Sequence, residues 1–318
     1  MTAAAKSDRV VVACASDAEY VRPLAAMLRS LVDNLGTGRA LDVYILHSGI
    51  GESERRAIAH GWPERCTAHW LTADENAFGG LPLWGRMPVS TYFKLALPDM
   101  LPRSVRRAIW LDCDLLVLDD IGLLWDREMG NRPLGALQDA VVPLVSSRCG
   151  VAGYRELGID ASEKYFNAGV MVIDVEAWRR DKVQARAVDY LKRYQRAVVF
   201  WDQEGLNAAL AGRWASLDEA WNHNASVPRR KADVGRPAII HFAGGLKPWR
   251  FRTDDPERGI YYDYLDRTSF RGWRPSPSIT GALVNVYEAV GLRRTFYPLE
   301  NVGMRMIRGL SRRLSPRR

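Results

Sequence analysis

Short apolar runs alternating with helical stripes organise the first third of the chain. Val10 to Ala15 is an unbroken apolar run closing on Ser16-Asp17, the length and flanks of a strand buried on both faces. Leu24, Met27, Leu28, Leu31, Val32 and Leu35 recur at the three- and four-residue steps of one helical face, which predicts a helix ending near Asn34 to Gly36. Leu41 to Leu46 predicts a second strand, Ser48 to Gly51 a turn, Glu52 to His60 a helix and Cys66 to Leu71 a third strand. Alternation of this kind predicts an α/β fold with a mostly parallel sheet covered by helices.

Phe78 to Pro88 is rich in Gly and Pro and reads as a loop, followed by a helix over Ser90 to Leu97 that Pro98 and Pro102 terminate. Ala108 to Leu111 predicts a strand that carries Asp112-Cys113-Asp114 at its end and is followed by Leu115-Leu116-Val117. Further strands are expected at Leu134 to Leu137, Gly169 to Asp174 and Ala238 to Phe242, with helices over Val175 to Gln195 and Gln203 to Leu210. Residues 1–274 read as one catalytic domain, and Pro275 to Pro277 opens a break before a C-terminal extension over 275–318.

Composition changes this picture only at the end of the chain. The net charge of +8 is concentrated in Arg293 to Arg318, where eight arginines face the single acid Glu300, so the rest is nearly neutral. That distribution argues against nucleic-acid binding and for a local contact made by the tail. Leu299, Val302, Met306, Ile307, Leu310 and Leu314 fall at helical spacing among Arg305, Arg308, Arg312 and Arg313. A basic amphipathic helix of this kind either lies on an anionic membrane surface or docks on the domain with its basic face in water. No stretch approaches the roughly 20 apolar residues that span a bilayer, and the start lacks a signal-peptide core, so the expected location is cytoplasmic. Cys14, Cys66, Cys113 and Cys149 are scattered, with no spacing that suggests zinc or a redox centre.

The candidate chemistry begins at Asp112-Cys113-Asp114. In an extended strand the two carboxylates share a face and Cys113 points the other way. Two like charges so close need compensation, and a divalent cation held by hard oxygen ligands supplies it, with Mg2+ or Mn2+ favoured. The plainer reading is a turn cap. In open α/β sheets ligands bind beyond the carboxyl ends of the strands, where Asp17 and the Asp pair would lie. His241, after the apolar run Ala238 to Ile240, is either structural or a third ligand whose imidazole tilts the preference to Mn2+. Gly244-Gly245 allows close backbone approach to a ligand, and Lys247 can place an ammonium on a diphosphate.

Taken in order, Ala15-Ser16-Asp17, Ser90 to Leu95, the Asp pair, Tyr165 to Val170, Trp201 to Asn207 and His241 to Trp249 resemble glycosyltransferase family 8 over about Asp8 to Arg250. The likeness is nearest to its bacterial lipopolysaccharide galactosyl- and glucosyltransferases. It implies a GT-A fold, retention, and transfer of galactose or glucose from a UDP-hexose to a saccharide or glycolipid acceptor. It also implies Asp112, Asp114 and His241 as ligands of Mn2+, with Mg2+ as the alternative. Ala15, Asp17, Lys94, Cys113, Ala168 and Gly244 would line the donor, and Asn167 and Asp202 would hold its sugar. Gln203 would lie beside the reacting carbon, and Lys247 with the cation would stabilise departing UDP. Similar enzymes also have a basic end, which implies peripheral attachment to the inner face of the cell membrane.

The chain departs from the bacterial pattern at Lys94, commonly arginine; at Glu19, commonly asparagine; and at Glu204, commonly aspartate. Trp84 and Trp249 are candidate sugar platforms, with core packing the plainer role. A haloacid-dehalogenase phosphatase would want Thr or Val where Leu116 stands, and a pyrophosphorylase would need a glycine-rich loop after the first strand. A non-catalytic UDP-sugar binder of the same fold is a further alternative.

Overall fold

The computed structural model describes residues 9–83, 87–227, 235–244, 247–250 and 257–276. Trp84, Gly245 and the basic segment after residue 276 lie outside these described residues. The expected opening forms as β1 (Arg9–Asp17), α1 (Val21–Asp33), β2 (Ala40–Ser48), α2 (Glu52–Ala59) and β3 (Cys66–Thr72). The apolar stripe of α1 is buried from Leu24 to Val32, and Leu28 and Leu31 are wholly inside. Burial of each such leucine contributes about 1.5–3 kcal/mol.

After these come α3 (Phe93–Met100), β4 (Arg107–Leu111), β5 (Leu115–Val117), α4 (Ile121–Trp125), β6 (Leu134–Gln138) and β7 (Phe166–Asp174). The chain continues with α5 (Val175–Arg180), α6 (Val183–Arg193), α7 (Trp201–Leu210), β8 (Trp214–Ser216), β9 (His223–Asn224), β10 (Ile239–His241) and α8 (Arg258–Leu265). Seven strands form one sheet in the order β3-β2-β1-β4-β7-β6-β8, parallel except where β7 meets β4 and β6. Because β7 runs backwards, its amino end shares an edge with the carboxyl ends of β1, β4 and β6. Side chains of β4 alternate between two cores, Ala108 and Trp110 on one face, Ile109 and Leu111 on the other. A smaller sheet, β5-β10-β9, packs beside the first.

Three expectations are corrected. Asp112-Cys113-Asp114 is a bend between two sheets rather than part of one strand: Asp112 N–H still reaches the Gly169 carbonyl of β7, whereas the Asp114 carbonyl already accepts from Phe242 N–H. Pro98 does not end its helix. It sits within α3, which runs to Met100 after a 3-10 turn over Val89–Tyr92. The single helix expected over Val175 to Gln195 is two, because Lys182 takes a left-handed backbone (φ 51°) between α5 and α6. All four cysteines are buried free thiols.

Candidate functional site

The bend between the sheets brings two carboxylates and an imidazole together. Ligand atoms of Asp112, Asp114 and His241 lie within 4.8 Å of one another, a donor set suited to a divalent cation. His241 ends β10, which pairs with β5 just after Asp114, so the small sheet delivers two of the three groups. The large sheet delivers Asp112, whose Oδ1 accepts from Trp110 Nε1 (2.8 Å) and Lys94 Nζ (3.0 Å). Gly169 of β7 lies under the His241 ring.

Two buried lysines flank the carboxylates. Lys94, from α3, reaches Asp112, Asp202 Oδ2 at 2.8 Å and the Ala168 carbonyl at 3.2 Å, which occupies all three of its N–H donors. Burial alone would lower its pKa, but the two carboxylates outweigh it and hold the ammonium above its ordinary value. Lys94 therefore acts on the site as a charge beneath Asp112. Lys247 pairs with Asp114 and donates to the Phe242 carbonyl at 2.7 Å. Burial pushes the Asp114 carboxyl up, yet Lys247 and His241 together bring it well below the usual carboxylate range.

On the β6 and α7 side the polar groups form a closed network. Gln203 Oε1 accepts from Ala168 N–H (3.0 Å), and its Nε2 donates to Asp139 Oδ2 (3.2 Å). Asn167 donates to the same Asp139 oxygen (2.9 Å), while its own oxygen accepts from Gly169 N–H and Asn222 Nδ2, each at 2.9 Å. Asp202 accepts from Thr91 Oγ1 (2.8 Å) besides Lys94. Asp17 caps the turn after β1, accepting from the N–H groups of Glu19 and Tyr20 and from Ser90 Oγ. The Cys113 thiol turns away from the carboxylates to the Ala15 carbonyl (2.9 Å), so only the backbone of Cys113 faces the bend.

Other candidates occupy different places. Glu204 points away from Asp202 and into the core, where Tyr190 Oη and the N–H groups of Val199, Phe200 and Ala152 surround it. Trp249 packs edge-on to Tyr20 and tilted on Tyr261, in the core of the small sheet. Gly244 has φ +83°, a left-handed backbone that suits glycine. Sequence reasoning missed Asp139 and Asn222. Asp139 follows an apolar strand as Asp17 does, a readable signal at the same sheet edge, whereas Asn222 sits in a short polar stretch with none.

The family described as Glycosyl transferase family 8 matches residues 11–253, and the chain belongs to that glycosyltransferase family. General stress protein A of Bacillus subtilis is 29% identical over 281 residues, covering 82% of this chain and 94% of that protein. A probable galacturonosyltransferase-like 7 of Arabidopsis thaliana is 32% identical over 176 residues, 51% of this chain and 48% of that one. The crystal structure of the galactosyltransferase LgtC with donor and acceptor sugar analogs superposes with a TM-score of 0.70 at 24% identity, covering 81% of this chain and 96% of that one. The fold is accordingly GT-A.

Proposed function

We propose that the chain is a retaining, metal-dependent hexosyltransferase that moves galactose or glucose from a UDP-sugar to a saccharide acceptor. The observation that carries this reading is the Asp112, Asp114 and His241 donor set, flanked by Lys94 and Lys247 at the sheet edge where family 8 enzymes and α/β ligand sites coincide. Mn2+ fits two carboxylates plus an imidazole best, with Mg2+ as the alternative. Bound there, the cation would supply Lewis-acid stabilisation to the leaving diphosphate.

The chain's own residues would do the rest. Lys247 would turn its ammonium from Asp114 toward the diphosphate, adding charge where charge develops. Ala15, Asp17 and the backbone of Cys113 and Gly244 would line the nucleoside and phosphates, and Asn167 and Ala168 the sugar. Gln203 is an amide and a poor nucleophile, and both Asp202 oxygens are committed to Thr91 and Lys94. These facts favour a same-face displacement, with Gln203 beside the reacting carbon and the departing phosphate accepting the acceptor proton. A glycosyl adduct trapped on Asp202 would overturn that order of events.

UDP release from a panel of UDP-galactose, UDP-glucose and UDP-galacturonate, with Mn2+ and with a chelator, tests the reading. Metal-dependent release from a hexose donor supports it, whereas tight UDP and Mn2+ binding without release under any acceptor marks a binder. Residues 1–274 would form the catalytic domain and 275–318 an extension whose arginines hold the enzyme on the anionic inner face of the cell membrane, near a lipopolysaccharide or other glycolipid acceptor. Vesicles of anionic lipid should retain the full chain and lose one that ends near residue 275.

A further inference from the structure

An imidazole binds a cation through the nitrogen that carries no proton, and in a neutral ring the other nitrogen holds it. For His241 that choice is made by side-chain amides whose own orientations are fixed by backbone donors. Gly169 N–H points at Asn167 Oδ1, so that atom is an acceptor and Asn167 Nδ2 faces Asp139. The same Asn167 oxygen faces Asn222 Nδ2, which turns Asn222 Oδ1 to His241 Nδ1 at 2.9 Å. An amide oxygen only accepts. In the neutral ring Nδ1 therefore carries the proton and Nε2 the lone pair, 3.2 Å from Asp114 Oδ1. Two lone pairs facing at that distance need a positive charge between them, which either a second ring proton or a bound cation supplies.

We infer that Asn222 is a positioning residue that selects the ligating nitrogen of His241 and ties the metal centre to Gln203 through Asn167 and Asp139. The tie is continuous, because Asp139 Oδ2 receives both Asn167 Nδ2 and Gln203 Nε2, and Ala168 N–H fixes the Gln203 amide from its other end. The fold builds the contact deliberately. Strand β9 pairs parallel to β10 with Ile240 opposite His223 and His241 opposite Asn224, and Asn222, the last residue of the 3-10 turn just before β9, reaches the His241 ring from there. Partners of this kind, one bond behind a metal ligand, set its tautomer and raise its basicity.

The inference rests on the metal reading proposed above, and the two can fail separately. Long-range 1H–15N spectra of the full chain, at a pH where the ring is neutral and with His241→Gln identifying its signals, report the protonated nitrogen. Nδ1–H is expected in the wild type and in Asn222→Asp, which still accepts from the ring, and is lost in Asn222→Leu. Mn2+ affinity, read by electron paramagnetic resonance, should fall about 10–100-fold in Asn222→Leu. A wild-type ring protonated at Nε2 overturns the inference without any variant, and so does an Asn222→Leu protein that keeps both the ring signature and the Mn2+ affinity. If Asn222→Leu does not fold, the wild type and Asn222→Asp decide. A wild type that carries Nδ1–H and binds no Mn2+ supports the tautomer assignment and defeats the metal reading instead.

Discussion

Gly169 and His241 are in direct contact: a Cβ at Gly169 would stand 2.2 Å from His241 Cε1 and 2.8 Å from Nδ1. No real Cβ approaches a ring so closely, so the glycine in Asn167-Ala168-Gly169 makes room for the imidazole rather than for a turn. Gly169→Ala should push the His241 ring off its Asn222 partner and cost about 1–3 kcal/mol through overpacking. Urea unfolding and Mn2+ titration on the same variant check this, and an alanine variant with wild-type Mn2+ affinity would mean that the ring does not matter to the cation.

The two aspartates of the bend are not equivalent. Removing Asp112 leaves Lys94 paired with Asp202 but takes the acceptor from the buried Trp110 Nε1, so Asp112→Ala should abolish metal-dependent UDP binding at a stability cost of about 1–3 kcal/mol. Removing Asp114 strands Lys247, which is only 6% exposed, with the Phe242 carbonyl as its remaining partner among the described residues. Breaking a buried pair from one side typically costs about 3–5 kcal/mol. Asp114→Ala should therefore lose both UDP binding and stability, and equal melting temperatures for the two variants would contradict the asymmetry.

Much of the fold was legible because periodicity reports burial. Of the six apolar residues ending at Ala15, Val10, Val12, Ala13 and Cys14 are fully buried and Val11 and Ala15 partly so, and the stripe on α1 is buried throughout, as their spacing says. What stayed hidden depends on contacts between distant segments. The bend at Asp112-Cys113-Asp114 exists because Asp112 pairs with Gly169 in one sheet and Asp114 with Phe242 in another. No local pattern encodes that division, and β9, two residues long, has no period to read. The family resemblance led to the expectation that Asp112, Asp114 and His241 come together, as their ligand atoms do, but nothing pointed to Asn222, because its role appears only when its amide is seen between His241 and Asn167.

Glu204 supplies a pH dependence that leaves the Asp112, Asp114 and His241 cluster aside. Burial pushes its carboxyl above the ordinary value of 4.5, against the pull of its N–H and hydroxyl donors. The native state thus binds a proton more readily than the unfolded chain, so the stability from this group is complete below 4.5 and is lost as pH rises through the raised native value. The advantage of the wild type over Glu204→Gln should shrink between 4.5 and the raised native value and then level off. Urea midpoints of both proteins across the window check the sign, and an advantage that grows with pH would reverse the assignment.

Asp139 is the residue whose loss should reach Gln203 most directly. Its Oδ1 accepts from Val141 and Val142 N–H at 2.8 Å each, and its Oδ2 from Asn167 and Gln203. In Asp139→Asn the amide oxygen must stay with the backbone donors, which cannot turn, so the new NH2 faces two other NH2 groups. Gln203 cannot escape by flipping, because its amide nitrogen would then meet Ala168 N–H. One unsatisfied buried polar group costs about 1–3 kcal/mol. Of the two displaced contacts the longer yields first, 3.2 Å from Gln203 against 2.9 Å from Asn167, which is also held by Gly169 N–H. Asp139→Asn should therefore lower the turnover of UDP release more than it lowers Mn2+ affinity, because Gln203 moves while His241 and Asn222 stay. Steady-state kinetics and Mn2+ titration on one preparation separate the cases: equal losses in both would mean that Asp139 supports the whole network rather than Gln203.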